Sequence, residues 1–596
     1  MVRAKLKRKG FNNHSSLLDQ ESGTYLKKWT GRLPVALLYP NKYAVGVSSL
    51  GFQLVYSLLN GFDDLVCERF FIPEDSHSSL RSFESGRPLT DFPLLFYSIS
   101  FEHDYVNLAR LLLGGGITLF AEDRKDDLIT SSNPLVIGGG VATFMNPEPL
   151  APFTDLFLLG EAEDILQSLL TILIAQIDFV PRSDLLTLVQ KKITSAYVPC
   201  LYTPVYDDKT GYLIDAIPRK GVSARIRKHT VSAMTKAAHS ELLSPAAEFS
   251  NLYVTELGRG CSQGCRFCAA GFIYRPPRLW VADAVVKGIS ERDENVKRIG
   301  LLGMEMAHQN ELETLSSYLL ESGCSLSFSS LRADRISGPL LDLLGKSGLK
   351  SVAIAPDGAS ERLRRVINKN LTEEDILLAA ERLVGAGLYK LKLYLMIGLP
   401  TETFDDLQEM LDLIKKIKEC MLPIGRARGR LCEISLSVNC FAPKPWTPFQ
   451  FHPFGGEELQ RGEEGSAASA IKLLKSKISF FKKGIRKEAN IRFNHDKPEN
   501  VLFQAVLARG DRRLALVLAQ MAQEGIPWKQ AMRKNNLRPE FYAVHQYGPD
   551  DYFPWSIVDH SIKQEYLWKD YQKSFLAKTT VSCDTKNCKK CGVCGD

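Results

Sequence analysis

Long hydrophobic runs, internal repeats and a strong charge of either sign are all missing from this chain of 596 residues. No stretch approaches eighteen uncharged apolar residues, so we expect no membrane span. The basic start, MVRAKLKRKG, is not followed by an apolar stretch and a small-residue cleavage site, so a secretory signal is not expected. The net charge of +7 is mild for this length and does not argue for an anionic partner.

Cysteine, by contrast, is plentiful. Seven of the thirteen cysteines fall in two tight clusters, at 261–268 and 583–594. An odd total and clustering within a few residues suit metal ligation better than disulfide bonding. Metal-bound thiolates must stay reduced, and we therefore expect a cytoplasmic protein.

Strand-like and helical segments alternate in two parts of the chain, which predicts two α/β units. The first, at 31–174, reads as a Rossmann-like doubly wound domain with strands at 34–40, 94–100 and 134–140 and a last strand and helix within 156–170. The second, at 249–455, reads as a partial (β/α)6 barrel of the TIM type. Its strand candidates are 251–257, 298–304, 326–330, 351–356, 390–400 and 433–441. In such barrels the chemistry lies at the carboxyl ends of the strands.

The remaining segments are predicted to be of four kinds. They are a basic N-terminal arm at 1–30, a β-rich connector at 175–248, a mostly helical region at 456–575 and a cysteine-rich metal-binding tail at 576–596.

Three cysteines follow the first barrel strand, in the sequence GRGCSQGCRFCAAGF. The Cys-x3-Cys-x2-Cys spacing of Cys261, Cys265 and Cys268 puts three thiolates on one loop that can wrap a cubane iron–sulfur cluster, whose fourth iron stays open to a small molecule. Part of a zinc site is the alternative. A structural zinc ion needs a fourth ligand, and no further His or Cys lies nearby in the loop.

The segment CSQGCRFC, with the aromatic Phe267 before the third cysteine, resembles the signature of the radical S-adenosylmethionine (SAM) superfamily. The resemblance implies a [4Fe-4S] cluster whose open iron is chelated by the amine and carboxylate of SAM. It also implies a one-electron donor such as ferredoxin or flavodoxin, and reductive cleavage of SAM to methionine and a 5′-deoxyadenosyl radical. It does not name a substrate.

The same resemblance implies SAM-binding residues at the ends of the following strands. Gly303 and Glu305 stand where the superfamily has a Gly-Gly-Glu-like segment for the SAM amine. Arg332 would pair with the SAM carboxylate, since a guanidinium binds a carboxylate bidentately. Asp357 resembles the acidic residue that hydrogen-bonds the ribose hydroxyls, and Gly398 resembles the glycine beside the adenine. A surface ion pair or cap is the alternative for each polar residue.

Four further cysteines, Cys583, Cys588, Cys591 and Cys594, lie within twelve residues at the end of the chain. Four ligands close a metal site, so this one would be structural or electron-transferring. The spacing does not separate a second [4Fe-4S] cluster from zinc.

The first α/β unit resembles the cobalamin-binding-type domain that precedes the barrel in a large radical SAM class, through VIGGG at 136–140 and the segment 146–163. The Asp-x-His-x-x-Gly motif that ligates cobalt is absent after the first strand. Asp75-Ser76-His77 matches it partly but lacks the glycine, so we interpret His77 as a surface residue. Whether cobalamin binds is left open by the sequence.

Two functions of different classes follow. The first is a radical SAM enzyme that modifies an unidentified substrate. RNA or protein is suggested by the basic stretch 472–492, and methylation would follow if cobalamin binds. The second is a non-catalytic nucleic-acid-binding protein in which both cysteine clusters hold zinc.

Overall fold

A computed structural model describes residues 17–75, 78–231, 237–303, 309–328, 330–456 and 465–594. The first unit is built from short, almost fully buried strands that alternate with helices. Its strands are β1 (Leu33–Tyr39), β2 (Leu65–Phe71), β3 (Leu94–Ser98), β4 (Leu135–Gly139), β5 (Leu156–Leu158) and β6 (Ala196–Tyr197). Its helices are α1 (Tyr43–Gly46), α2 (Leu50–Asn60), α3 (Tyr105–Gly114), α4 (Val141–Met145), α5 (Glu163–Gln176) and α6 (Arg182–Lys192).

The six strands form one sheet in the order β2-β1-β3-β4-β5-β6, parallel except for the β5–β6 pair. The chain adds β2 on one side of β1, and then adds β3, β4 and β5 on the other side. The direction in which successive strands are added therefore reverses between β1 and β3. In doubly wound sheets, ligands bind beside such a switch point, outside the carboxyl ends of the strands.

Strand β2 was not predicted, because its sequence LVCERFF carries two charges in a fully buried strand. The guanidinium of Arg69 is neutralised by Glu21, 2.5 Å away, and by Glu84, 2.6 Å away. Glu21 comes from the predicted N-terminal arm, and Trp29 of the same segment donates a 2.7 Å hydrogen bond to Glu68. Residues 17–30 are therefore packed onto this sheet.

A short connector follows, with β7 (Tyr202–Tyr206) and β8 (Leu213–Pro218) forming an antiparallel hairpin and β9 (Ile226–Arg227) beyond it. Helix α6 lies in the segment predicted as β-rich. Its sequence, RSDLLTLVQKK, has few apolar positions from which a helical period could be recognised.

The second unit is the predicted barrel. Its strands are β10 (Tyr253–Glu256), β11 (Gly258–Arg259), β12 (Arg278–Leu279), β13 (Arg298–Leu302), β14 (Ser325–Phe328), β15 (Ser351–Asp357), β16 (Lys390–Ile397), β17 (Glu433–Cys440) and β18 (Ile491–His495). Its helices are α7 (Ala270–Ile273), α8 (Ala282–Ser290), α9 (Gln309–Glu321), α10 (Gly338–Lys346), α11 (Glu361–Val366), α12 (Glu373–Gly385), α13 (Phe404–Ala427) and α14 (Ala467–Ile485).

Seven of these strands run parallel in two sheets, β10-β13-β14 and β15-β16-β17-β18. A parallel bridge between Leu331 and Ile354 joins the two sheets into an open TIM-type barrel. All six predicted strands are present. The seventh, β18, lies in the region predicted to be helical, and its exposed residues hide the alternation that identifies a strand.

The rest of the chain packs against both units. Its helices are α15 (Pro498–Ala508), α16 (Leu514–Glu524), α17 (Trp528–Lys534) and α18 (Gln564–Phe575), and β19 (Val558–Asp559) pairs with β9 of the connector. Among the described residues, no helix combines the length and apolarity needed to cross a membrane.

Candidate metal and cofactor site

The three-cysteine loop begins directly after β10 and is closed at its base by the antiparallel pair β11–β12. Gly260 has φ +88°, and a Cβ at this position would lie 2.7 Å from the carbonyl oxygen of Tyr274. Only glycine fits both conditions. Within the loop, the amide of Cys268 donates a 3.0 Å hydrogen bond to the carbonyl oxygen of Cys265. The local chain geometry thus holds the second and third cysteines one turn apart.

The surroundings of these thiols favour the protonated form. Burial raises the pKa of the Cys265 thiol to about 12. Burial also raises the pKa of Cys268, although the amides of Gly271 and Ala270 donate to its sulfur and oppose the rise. Thiols of this kind bind metal by exchanging a proton for the cation. A donor set of three sulfurs on one loop fits an iron–sulfur cluster with one iron left without a protein ligand.

In the described ranges, no three His, Cys, Asp or Glu side chains are gathered as they would be around a single metal ion. The three loop cysteines nevertheless lie within eight residues of one loop, whose turn is closed by the hydrogen bond from the Cys268 amide to Cys265.

Arg332 follows strand β14 and lies beside the loop. Its Nε and Nη2 donate to Asp334 at 2.9 and 3.0 Å, and Nη2 also donates to the carbonyl oxygen of Lys369 at 2.9 Å. Burial lowers the pKa of Arg332, but Asp334, Cys265 and Cys261 together raise it above its usual value. The guanidinium is therefore fixed in place near two of the three thiols.

Asp357 ends strand β15 with φ +59°, a left-handed conformation that is unusual outside glycine. Burial raises its pKa, while an ion pair with Lys369 and the charge of Arg332 oppose the rise. The charge of Asp357 also reaches Cys265 and Cys268. The structure thus brings Arg332, Asp357 and the loop cysteines together.

Sequence reasoning missed the turn that follows helix α11. Lys369 is the buried partner of Asp357, and it is flanked by Asn368 and Asn370 at φ +58° and +53°. The Asn368 side-chain amide donates to the carbonyl oxygens of Gln263 and Gly264 at 3.2 and 3.1 Å. The Asn-Lys-Asn sequence could have indicated this turn, because asparagine tolerates the left-handed backbone conformation.

The other predicted SAM-binding residues lie along the same strand edge. Gly303 follows β13, and Gly398 follows β16 with φ +80° and an amide that donates to Glu402 at 2.9 Å. Phe267 is partly buried against the core. Glu305 lies outside the described residues. The roles proposed for Gly303 and Gly398 depend on their positions at the ends of β13 and β16.

The cysteine tail docks on the three-cysteine loop. The amide of Cys583 donates a 2.7 Å hydrogen bond to the carbonyl oxygen of Ser262, the residue after Cys261. The amide of Thr580 donates, also at 2.7 Å, to the same Asn368 that binds the loop. Cys591 is buried, and its carbonyl oxygen accepts a 2.9 Å hydrogen bond from an amide at the start of α18. The two predicted cysteine clusters are therefore neighbours.

A cavity of about 440 Å³ lies between the two α/β units. One wall is the carboxyl edge of the first sheet, and the other includes Gly303, Arg259 and Tyr274 of the barrel. Half of the residues in the first wall are small, namely Ser49, Gly51, Ser98, Ser100, Gly140, Gly160 and Ala162. No histidine is among the described residues that line it, and His77 lies outside the described residues.

The basic stretch 472–492 is mainly the helix α14, whose apolar residues face the core. Lys477 is buried in an ion pair with Glu402 at 2.6 Å, and Lys475 pairs with Glu499 at 2.5 Å. Two of the positive charges of this stretch are therefore paired with carboxylates of the same chain.

Comparison with known families identifies both α/β units. Residues 51–199 match the model described as "Radical SAM proteins, N-terminal", and residues 255–414 match the one described as "Radical SAM superfamily". An uncharacterised protein of Methanocaldococcus jannaschii is 27% identical over 493 residues, which are 81% of this chain and 90% of the relative.

Two solved structures give weaker matches. The radical SAM methyltransferase TsrM from Kitasatospora setae, with cobalamin and a [4Fe-4S] cluster bound, is 12% identical over 85% of this chain and 99% of its own, with a TM-score of 0.46. The cobalamin-dependent radical enzyme OxsB, with aqua-cobalamin and SAM bound, is 12% identical over 91% of this chain and 80% of its own, with a TM-score of 0.48. At these values neither structure assigns a cofactor or a substrate to this chain.

Proposed function

This chain is an enzyme of the radical SAM superfamily, and we propose that Cys261, Cys265 and Cys268 hold the [4Fe-4S] cluster at which it binds SAM. The observation that carries the proposal is the placement of three thiols beside Arg332 and the Asp357–Lys369 pair, at the carboxyl edge of a parallel barrel. Catalytic groups of such barrels come from this edge.

When bound, such a cluster supplies the electron that cleaves SAM to methionine and a 5′-deoxyadenosyl radical. The chain's own residues would bind and orient SAM. Arg332, already fixed by Asp334 and by the carbonyl oxygen of Lys369, offers its charge to the SAM carboxylate without further ordering. The Asp357 carboxylate could accept hydrogen bonds from the ribose hydroxyls of SAM, and the Lys369 ammonium could donate to them. Gly398, at the end of β16, stands at the position proposed for the adenine.

SAM binding to the reconstituted enzyme tests this assignment. In Arg332→Gln we expect affinity for SAM to fall about ten- to a hundredfold, since a charge-assisted hydrogen bond is lost. Arg335→Gln is the matched control, because Arg335 is exposed on the same short turn. The readout is the change in the electron paramagnetic resonance (EPR) spectrum of the reduced cluster on titration with SAM. Equal affinities in the two variants would remove Arg332 from the site.

The cavity between the two units supports a second ligand site. We propose that it receives cobalamin or the substrate, since it joins the carboxyl edge of the first sheet to the barrel edge. Cobalamin bound there would have no histidine among the described lining residues to hold the cobalt, and it would make methylation the expected reaction. Titration with hydroxocobalamin, followed by gel filtration, separates the cases. Retained cobalamin supports methylation, and complete loss leaves the cavity to the substrate.

The runner-up function, a zinc- and nucleic-acid-binding protein without catalysis, gains nothing from the basic stretch, whose buried lysine serves the fold. Metal analysis of protein purified without oxygen separates the two functions. Zinc in both sites without iron or acid-labile sulfide would contradict the enzyme assignment. The reduced thiols that either function needs support a cytoplasmic location.

A further inference from the structure

The tail cysteines are held against the three-cysteine loop by protein contacts that need no metal. Arg266, inside the loop, is fully buried and donates 2.7 Å hydrogen bonds to the carbonyl oxygens of Val366 and Lys578. Lys578 and Thr580 lie just before the first tail cysteine. Cys583 then bonds directly to Ser262. The position of the tail is therefore fixed by the loop itself.

Arg275 lies between the two cysteine clusters. It is 5% exposed, its Nε donates 2.9 Å to the carbonyl oxygen of Gly271, and its Nη2 would lie 3.2 Å from a Cβ built on Gly264. Burial lowers the pKa of Arg275, but Tyr566 and the nearby thiols together raise it above its usual value. The guanidinium carbon also lies 5.5 Å from the ring centroid of Tyr566 in α18. Tyr566 is three residues after Lys563, whose amide binds the carbonyl oxygen of Cys591, so Arg275 faces the tail side as well.

The tail carries a ferredoxin-like run of cysteines, although its spacing alone does not separate iron–sulfur from zinc. Cys588, Cys591 and Cys594 repeat at two-residue spacing, as in the Cys-x2-Cys-x2-Cys run of ferredoxins. A structural zinc ion would add little to a tail that is already anchored on the loop.

From this juxtaposition we propose that the tail holds a second iron–sulfur cluster, which passes electrons to the cluster of the three-cysteine loop. The proposal depends on the function proposed above for the loop. The covalent path from Cys583 to Cys261 is interrupted by one hydrogen bond only, the 2.7 Å bond from the Cys583 amide to Ser262. Arg275 is a positioning residue whose charge stabilises the reduced, more negative state of the tail cluster.

The electrons balance with one external reductant. A ferredoxin or flavodoxin gives one electron to the tail cluster, which passes it to the loop cluster and returns to its oxidised state. The loop cluster passes the electron to the sulfonium of SAM. The bond from sulfur to C5′ would then break homolytically. Sulfur keeps one bond electron and pairs it with the added electron as a lone pair of methionine, and C5′ keeps the other bond electron as the 5′-deoxyadenosyl radical. No proton moves in this step.

Metal content tests the identity of the tail centre. The full chain is prepared without oxygen as wild type and as a loop variant in which Cys261, Cys265 and Cys268 are serine. We expect about eight iron atoms in the wild type and about four in the loop variant. A loop variant that holds zinc, or no metal at all, would overturn the proposal.

Coupling between the centres has a readout apart from activity. A tail variant, with all four tail cysteines changed to serine, and the loop variant each give the EPR spectrum of one reduced cluster. We expect the fully reduced wild type to show broadening that the sum of these two spectra does not reproduce, because the paramagnetic centres interact. A wild-type spectrum equal to the sum would contradict neighbouring clusters.

The role of Arg275 is tested with Arg275→Met, which keeps all seven cysteines. We expect the reduction potential of the tail cluster to become more negative, and by more than in Lys563→Met, an exposed lysine beside Cys591. We also expect the ratio of flavodoxin-driven to dithionite-driven SAM cleavage to fall severalfold. An unchanged potential and ratio would overturn the relay. Absence of SAM cleavage in the wild type with either reductant would instead contradict the function proposed for the loop, while metal content and EPR still report on the tail.

Discussion

Arg266, between the second and third cysteines of the loop, donates two hydrogen bonds to Asp570 of helix α18, each 3.2 Å long. Both side chains are buried. A residue inside the metal-binding motif thus ties the C-terminal helix to the loop across the whole second half of the chain. The same guanidinium also caps the carbonyl oxygens at the end of α11. Folding of the C-terminal region and formation of the cysteine loop are therefore linked.

Removal of this guanidinium should unfold the protein more easily. We expect Arg266→Ala to lower the free energy of unfolding by about 3–5 kcal/mol, since it leaves a buried carboxylate without its partner. The matched control is Arg365→Ala, whose exposed pair with Glu361 is worth about 0.5 kcal/mol. Urea unfolding of both variants under anaerobic conditions gives the comparison. Equal losses would contradict a linking role for Arg266.

Iron loading should depend on which loop glycine is changed. Gly260→Ala places a Cβ 2.7 Å from the carbonyl oxygen of Tyr274 in a left-handed conformation, so the loop must rearrange. Gly271→Ala meets no atom closer than 3.8 Å and has no such strain. After anaerobic reconstitution we expect Gly260→Ala to lose most of the loop iron and Gly271→Ala to keep it. Full iron in Gly260→Ala would show that the loop binds its cluster in a different conformation.

Stability should depend on pH through Lys228, which is buried and donates 2.5 Å to the carbonyl oxygen of Ile273. Burial lowers the pKa of Lys228 from 10.5 to about 8. Between these values the unfolded chain binds more protons than the folded one, so stability rises with pH. Relative to Lys228→Met, the wild type should gain up to about 3 kcal/mol between pH 7 and pH 10.5. A difference that is constant with pH, measured by urea unfolding, would contradict a lowered pKa of Lys228.

Sequence patterns predicted the parts of this site that are local in the chain. The spacing of Cys261, Cys265 and Cys268 carries its own chemical meaning, and the six predicted barrel strands were recognisable because each is an apolar run between turn residues. Strand β2 was missed because Arg69 brings a charge into a buried strand, and its partner Glu21 lies 48 residues away in sequence.

Contacts between distant segments could not be predicted in this way. Nothing in the tail indicates that Cys583 bonds to Ser262, or that Arg275 would face both clusters, because these contacts depend on how α18 packs. The pairing of Lys369 with Asp357 is likewise a product of the turn after α11. The individual candidate residues could therefore be predicted from the sequence, but their arrangement in space is known only from the structure.

The central claim is that the three-cysteine loop supports reductive cleavage of SAM. The most direct test is anaerobic reconstitution with iron and sulfide, followed by dithionite, SAM and chromatographic detection of 5′-deoxyadenosine. We expect 5′-deoxyadenosine from the wild type and none from Cys265→Ser, which lacks one of the three cluster ligands. A wild-type enzyme that holds an intact reduced cluster and yields no 5′-deoxyadenosine would contradict the account.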